Sequence, residues 1–224
     1  MKSVLIIGGG VSGLTAGILA QKSGYRSIII EKHFELGGNL TGWQRGEYHI
    51  DNCIHWLTGT NKNDGIYKVW QDIGAFDDQD IIYNQTLYSY QLDGKTLSLS
   101  IDLDKLENDM LSASPTDEKS IKRLIKAVGA MQRIMGVGGK AHDEKSKGLS
   151  RVKDYLALSG YLGLTCGQLA KKFDNRLIRG FLSKFLTENF SSIALIVVFA
   201  AFTGKDGGLY KGGSLKMAER LKTN

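Results

Sequence analysis

Two apolar runs rich in β-branched residues open the chain, Ser3 to Ile7 (SVLII) and Ser27 to Ile30 (SIII). Such runs predict short strands buried on both faces of a parallel sheet. Between them, Leu14 to Ala20 (LTAGILA) mixes small and apolar residues and predicts a helix. A further strand is expected over Glu47–Asp51. From Ile81 the pattern changes. Thr86–Leu92 (TLYSYQL) and Thr96–Ile101 (TLSLSI) alternate with period two about Asp93-Gly94, a strong hairpin signal. Helical spacing then takes over. Asp102 caps a helix through Leu111, and Ser114-Pro115 starts another whose apolar stripe is Ile121, Leu124, Ile125, Val128, Met131 and Met135. Helices are expected near 151–160, 166–173 and 175–187, and Ser191 or Ser192 caps a last one over Ile193–Phe202. Gly136–Gly148, with four glycines and mixed charges, reads as an internal loop.

The first strand runs into Gly8-Gly9-Gly10-Val11-Ser12-Gly13. This is a GxGxxG turn in the context that makes it informative: strand before, helix after, and Glu31 closing the second strand. Gly8 permits the tight turn, Gly10 lets bare backbone approach a pyrophosphate, and Gly13 lets the helix pack closely on the sheet. The free amides at the helix start, over Val11 and Ser12, and the positive end of its dipole favour phosphate. Glu31 stands 18 residues after Gly13, close to the spacing of an acid that accepts hydrogen bonds from a ribose, and it disfavours a 2′-phosphate. Lys32 belongs to the same unit. A second glycine pair, Gly37-Gly38, follows within the stretch EKHFELGGNLTGW. A plain NAD enzyme has no need of another bare-backbone loop there; the longer FAD does.

Composition narrows the class. The 224 residues are 42% hydrophobic and 23% charged, which excludes intrinsic disorder. Cys53 and Cys166 cannot make a disulfide framework, and no zinc-type ligand spacing occurs. The longest apolar run, Ile193–Phe202, is far short of a membrane span of about 20 residues, so a reduced, soluble, cytoplasmic chain is expected. The net charge of +6 is uneven: residues 1–112 carry 9 basic and 14 acidic side chains, and residues 113–224 carry 20 and 9. The lysines interleave with apolar residues as solvated helix faces do, and no nucleic-acid-binding signature accompanies them.

In these residues the chain resembles the two-glycine-motif FAD oxidoreductases. "EKHFELGGNLTGW", "GEYHIDNCIHWLTGT" and "GGLYKGGSLKMAERL" are most similar to the phytoene desaturase, carotenoid isomerase and retinol saturase group. The resemblance covers the chain but only about the N-terminal half of such a protein, so an incomplete fragment is expected. It departs at Asn39, where members often have Arg, and at Lys211, where they have Pro. The resemblance implies an α/β architecture: a Rossmann-like FAD-binding part over 1–80, with a parallel sheet, and a partly helical substrate-domain part over 81–224, with the hairpin as a cavity wall. It also implies FAD as cofactor, held by Gly8, Gly10, Val11, Ser12, Gly13, Glu31, Lys32, Gly37, Gly38 and Asn39. His55 either stands beside the flavin ring or is a hydrogen-bonded core histidine. No catalytic side chain is expected, because the chemistry resides in the flavin. The implied substrate is apolar and polyene-like. Two other classes stay open: a nucleotide-binding or interaction module without activity of its own, and an NAD-dependent dehydrogenase. Self-association is expected of an incomplete sheet. The 193–202 helix is expected to be buried, with a peripheral membrane contact as the alternative.

Overall fold

The β-branched runs and the glycine turn between them fold as strand, helix and strand in the computed structural model, which describes residues 1–63, 65–137 and 148–224. Strand β1 (Ser3–Ile7) pairs in parallel with β2 (Arg26–Ile30), from Ser3 opposite Arg26 to Ile7 opposite Ile30. Helix α1 (Val11–Lys22) joins them, burying Leu14, Gly17 and Ile18. Burial on both faces of this sheet is not what forms. Val4, Ile6, Ser27 and Ile29 are partly covered, whereas Leu5, Ile7, Ile28 and Ile30 are exposed, Ile7 at 85%. The reason is geometric: among the described residues, α1 packs on one side of two strands and nothing lies on the other.

A tight hairpin follows, with β3 (Gly42–Arg45) antiparallel to β4 (Tyr48–Asp51). Helix α2 (Gly65–Asp72) and the two-residue strand β5 (Ile81–Ile82) come next. The chain then leaves this first unit, which comprises Met1–Tyr83 and Gly208–Asn224, for a second unit, Asn84–Gly207.

The second unit opens with the hairpin that the alternation predicts, β6 (Thr86–Leu92) against β7 (Lys95–Ser100). Asp93 and Gly94 both take positive φ, 52° and 74°, as the favoured two-residue turn requires. Helix α3 (Leu103–Ala113) is capped by Asp102, whose carboxylate accepts from the amides of Asp104 and Lys105. Ser114 does not cap the next helix. One 3₁₀ turn over Pro115–Asp117 intervenes, and α4 (Glu118–Met135) follows. Ile121, Leu124, Ile125, Val128 and Met131 bury as the stripe predicts. Helices α5 (Leu149–Ser159), α6 (Cys166–Ala170), α7 (Arg176–Lys184) and α8 (Ser192–Thr203) complete the unit. Ser191 caps α8, whose Leu195, Ile196, Phe199 and Ala200 are fully buried. No helix among the described residues is long and apolar enough to cross a membrane. Gly136 ends α4 in the left-handed region; the rest of the loop expected over 136–148, from 138 to 147, lies outside the described residues.

The chain then returns. Strand β8 (Leu209–Tyr210) pairs antiparallel with β5, and α9 (Gly213–Thr223) packs in the first unit. Residues 208–224 therefore do not sit with 84–207, as a simple division near residue 80 supposes. The cause is apolar burial: Met217, Ala218 and Leu221 of α9 share one core with Leu14, Ile18, Leu40 and Phe76. The Arg220 guanidinium fixes the register, donating to the Asp80 carboxylate at 2.6 Å, the Asp77 carboxylate at 2.8 Å and the Gly74 carbonyl at 2.9 Å.

Candidate dinucleotide site

Four backbone contacts build the site. Gly8 continues the parallel pairing by donating to the Ile30 carbonyl at 2.8 Å, and its φ of +102° turns the chain off the strand. A Cβ on Gly13 would lie 1.9 Å from the Gly8 carbonyl oxygen, so α1 reaches the strand only because residue 13 has no side chain. Gly37 donates to the Gly9 carbonyl at 2.8 Å, and a Cβ on Gly38 would stand 3.1 Å from the Gly10 Cα. The two glycine motifs thus meet backbone to backbone.

A cleft of about 520 Å³ opens between them. Of the residues expected from the sequence, Gly8, Gly10, Val11, Ser12, Gly13, Gly37, Gly38 and Asn39 line it, joined by Ile7, Leu40 and Cys53. Gly10 is the N-cap of α1 and lends it no side-chain cap, and no acid stands in the first turn. Helix geometry leaves the amides of that turn without intrahelical partners. Bare backbone, free donors and a positive dipole end suit a pyrophosphate. A Cβ on Gly10 would touch only Gly38 Cα at 3.9 Å and the Gly37 oxygen at 4.0 Å, so a larger group there would project into open space of the cleft.

Glu31 adjoins the glycine turn and is not among the residues that line the cleft. Its carboxylate accepts from the Gly9 amide at 2.6 Å and the His33 amide at 2.9 Å. The Gly9 hydrogen bond, followed by that of His33, holds the carboxyl below its ordinary value, so it is ionised at neutral pH. Lys32 is exposed and does not line the cleft. His55 is also outside it. The ring is exposed, which removes the core-histidine reading, and its nearest aromatic neighbour is Trp56, with centroids 6.3 Å apart.

Sequence reasoning missed the support beneath the cleft. The Asp51 carboxylate, at the end of β4, accepts from the Ser214 amide at 2.8 Å and the Ser214 hydroxyl at 2.5 Å, and from the Cys53 amide at 3.2 Å. Burial alone would raise this carboxyl; the Ser214 hydroxyl and amide outweigh it and lower it. The Ser214 hydroxyl in turn accepts from the Ile54 amide at 3.0 Å. The latch draws α9 in so closely that a Cβ on Gly37 would meet Ala218 Cβ at 2.7 Å. The only local signal was Gly212-Gly213-Ser214: a Cβ on Gly213 would fall 2.7 Å from the Asp51 carboxylate.

Comparison with known proteins agrees with this geometry. Residues 6–73 match the NAD(P)-binding Rossmann-like domain family. A 1-hydroxycarotenoid 3,4-desaturase from a Flavobacterium species is 32% identical over 73 residues, 33% of this chain and 15% of the relative. Cinnamate reductase of Clostridium sporogenes is 35% identical over 68 residues, 30% of this chain and 10% of the relative. Among solved structures, a Pyrococcus furiosus protein superposes with a TM-score of 0.56 at 15% identity, covering 100% of this chain and 48% of its own. Cyclohexylamine oxidase from Brevibacterium oxydans gives 0.54 at 13%, covering 99% and 48%. Putrescine oxidase bound to putrescine gives 0.53 at 16%, covering 99% and 49%. The chain spans about half the length of these structures and a small part of the curated relatives. A Rossmann-like dinucleotide-binding domain occupies the N-terminus of a mixed helix-and-strand chain, and its named relatives are oxidoreductases.

Proposed function

We propose that the chain binds FAD and serves an oxidoreductase of the desaturase, saturase or isomerase type acting on an apolar, polyene-like substrate. The observation that carries the cofactor reading is the meeting of two bare-backbone turns, Gly8–Gly13 and Gly37–Gly38, across one cleft. A nicotinamide dinucleotide needs only the first; the second extends the bare wall along a longer ligand. Gly10, Val11, Ser12 and Gly13 would hold the pyrophosphate through main-chain donors, Gly37 and Gly38 would admit its far side, and Glu31 would accept from the adenosine ribose. Asn39, at the cleft's edge, offers a neutral donor. Bound flavin supplies the hydride transfer; the chain's residues bind and orient it. The apolar substrate rests on the resemblance and on the desaturase relative.

Titration of the purified chain with FAD, ADP and NAD tests the cofactor. The expected result is saturable binding of FAD and ADP and a bound-flavin absorption spectrum that survives gel filtration. Preference for NAD over FAD would overturn the reading. Within this frame Glu31→Ala should weaken both ADP and FAD binding, because the ribose loses a charged hydrogen-bond acceptor. Calorimetry that shows parental affinity would remove Glu31 from the site.

A further inference from the structure

A second cleft, of about 320 Å³, lies wholly within the Asn84–Gly207 unit, between α4, the end of α5 and the residues after α6. Its polar wall carries Arg123, Lys126 and Lys172 with the hydroxyls of Ser120 and Ser159, and its lining holds no acidic side chain. None of the three cations makes an ion pair among the described residues, although this chain pairs its helix cations elsewhere: Lys105 with Asp109, Lys122 with Glu118 and Lys184 with Glu188. Glu118, the acid nearest in sequence to Arg123, is already engaged by Lys122. On α5, Asp154 is held by the Arg133 guanidinium at 2.5–3.2 Å. Lys172 is drawn over the cleft, donating to the Gly160 carbonyl at 3.3 Å and standing 5.8 Å from the centre of the Tyr161 ring.

Like charges three residues apart on a helix, as at Arg123 and Lys126, repel. Bringing a third cation to the same cleft adds to that cost, which an anion would reverse. Phosphate suits the group, because guanidinium and ammonium donors form short charge-assisted bonds to its oxygens. The remaining wall is apolar: Leu156, Ala157, Leu169 and Phe173. Leu156 is 65% exposed, an uncovered apolar surface directly beside the cations. We infer that this cleft binds the phosphomonoester head of a small amphiphile, with Arg123, Lys126 and Lys172 on the phosphate and Leu156 against the tail. Burial pushes the Tyr161 phenol up to about 12, so it brings no negative charge to the cleft. The inference is independent of FAD binding.

The test is calorimetric titration of the whole protein with hexyl phosphate, inorganic phosphate and hexanol. Hexyl phosphate should bind saturably, one per chain, and about ten-fold tighter than inorganic phosphate, equivalent to about 1.4 kcal/mol; hexanol should not bind. Arg123→Gln with Lys126→Gln should weaken hexyl phosphate at least about ten-fold, while Lys119→Gln, on the same helix outside the cleft, should not. Leu156→Gln, at an exposed position, should abolish the advantage of the hexyl tail and leave inorganic phosphate unchanged. Unsaturable binding, equal loss in Lys119→Gln, or an indifferent double variant that keeps its helical circular dichroism would overturn the proposal. Sedimentation with phosphatidic acid vesicles, reversed by hexyl phosphate, would identify the source as a lipid headgroup. Hexyl phosphate binding without sedimentation would identify a free ester.

Discussion

Gly10→Val should abolish dinucleotide binding while the protein keeps its fold, and Gly13→Ala should instead damage the fold itself. The two positions differ in what a side chain meets. At Gly10 an added Cβ meets no atom nearer than 3.9 Å apart from its chain neighbours, so valine projects into the space that a pyrophosphate would occupy and excludes it. At Gly13 a single methyl group lands 1.9 Å from a backbone oxygen of the turn. Neither partner is a flexible side chain, so α1 must shift away from β1, and overpacking of this kind typically costs about 1–3 kcal/mol, occasionally more. ADP titration and thermal unfolding of both variants separate the effects. Retained ADP affinity in Gly10→Val would sink the cradle reading; parental stability in Gly13→Ala would mean that the turn is looser than its geometry implies.

Asp117→Ala should lower the unfolding free energy of the second unit by about 3 kcal/mol, the scale of charge-assisted hydrogen bonds lost together with stranded donors. Asp117 is 5% exposed. Its carboxylate accepts from the Asp174 amide at 2.8 Å, the Asn175 amide at 3.0 Å and the Ser114 hydroxyl at 2.8 Å. Asn175 caps α7 through the Leu177 and Ile178 amides, so one carboxylate positions the start of a buried helix. Burial by itself would raise this carboxyl; the Asp174 and Asn175 amides and Ser114 outweigh it and lower it. A native value below the unfolded one of about 3.9 means that the contribution is complete at neutral pH and fades as pH falls through the native value. Denaturant unfolding at pH 7 should therefore show the full difference between parent and variant, and at pH 2 a smaller one. Equal midpoints at pH 7 would remove Asp117 from the stabilising set.

What the sequence discloses depends on how local the cause is. The GxGxxG turn, the Asp93-Gly94 hairpin and the Asp102 cap are each decided within a few residues, and each forms where the pattern places it. Gly37-Gly38 is legible as a second bare loop for the same reason. Its contact with Gly10 is less so, since backbone proximity between two turns leaves no side-chain trace. The Asp51–Ser214 latch is harder still: its two halves are 163 residues apart, and each reads alone as an ordinary surface acid and a helix start. The β1–β2 runs mislead in the opposite direction, because apolar composition states that a face prefers cover without stating whether the described residues provide it. His55 shows the limit for single residues, as nothing in its neighbours distinguishes an exposed imidazole from a buried one.

The pairing of β5 with β8 has a consequence for the order of synthesis. Helix α9 joins the core of the first unit only after the chain has passed through the whole of 84–207, so that part of the core waits while those residues are made. At translation rates of about 5–20 residues per second that wait is on the order of 10 s. Residues 84–207 are all made before α9 can reach that core, and the amino-terminal strands must stay unaggregated meanwhile. Ile81 and Ile82, opposite Tyr210 and Leu209, then act as the seam at which the returning chain is stitched to its own beginning.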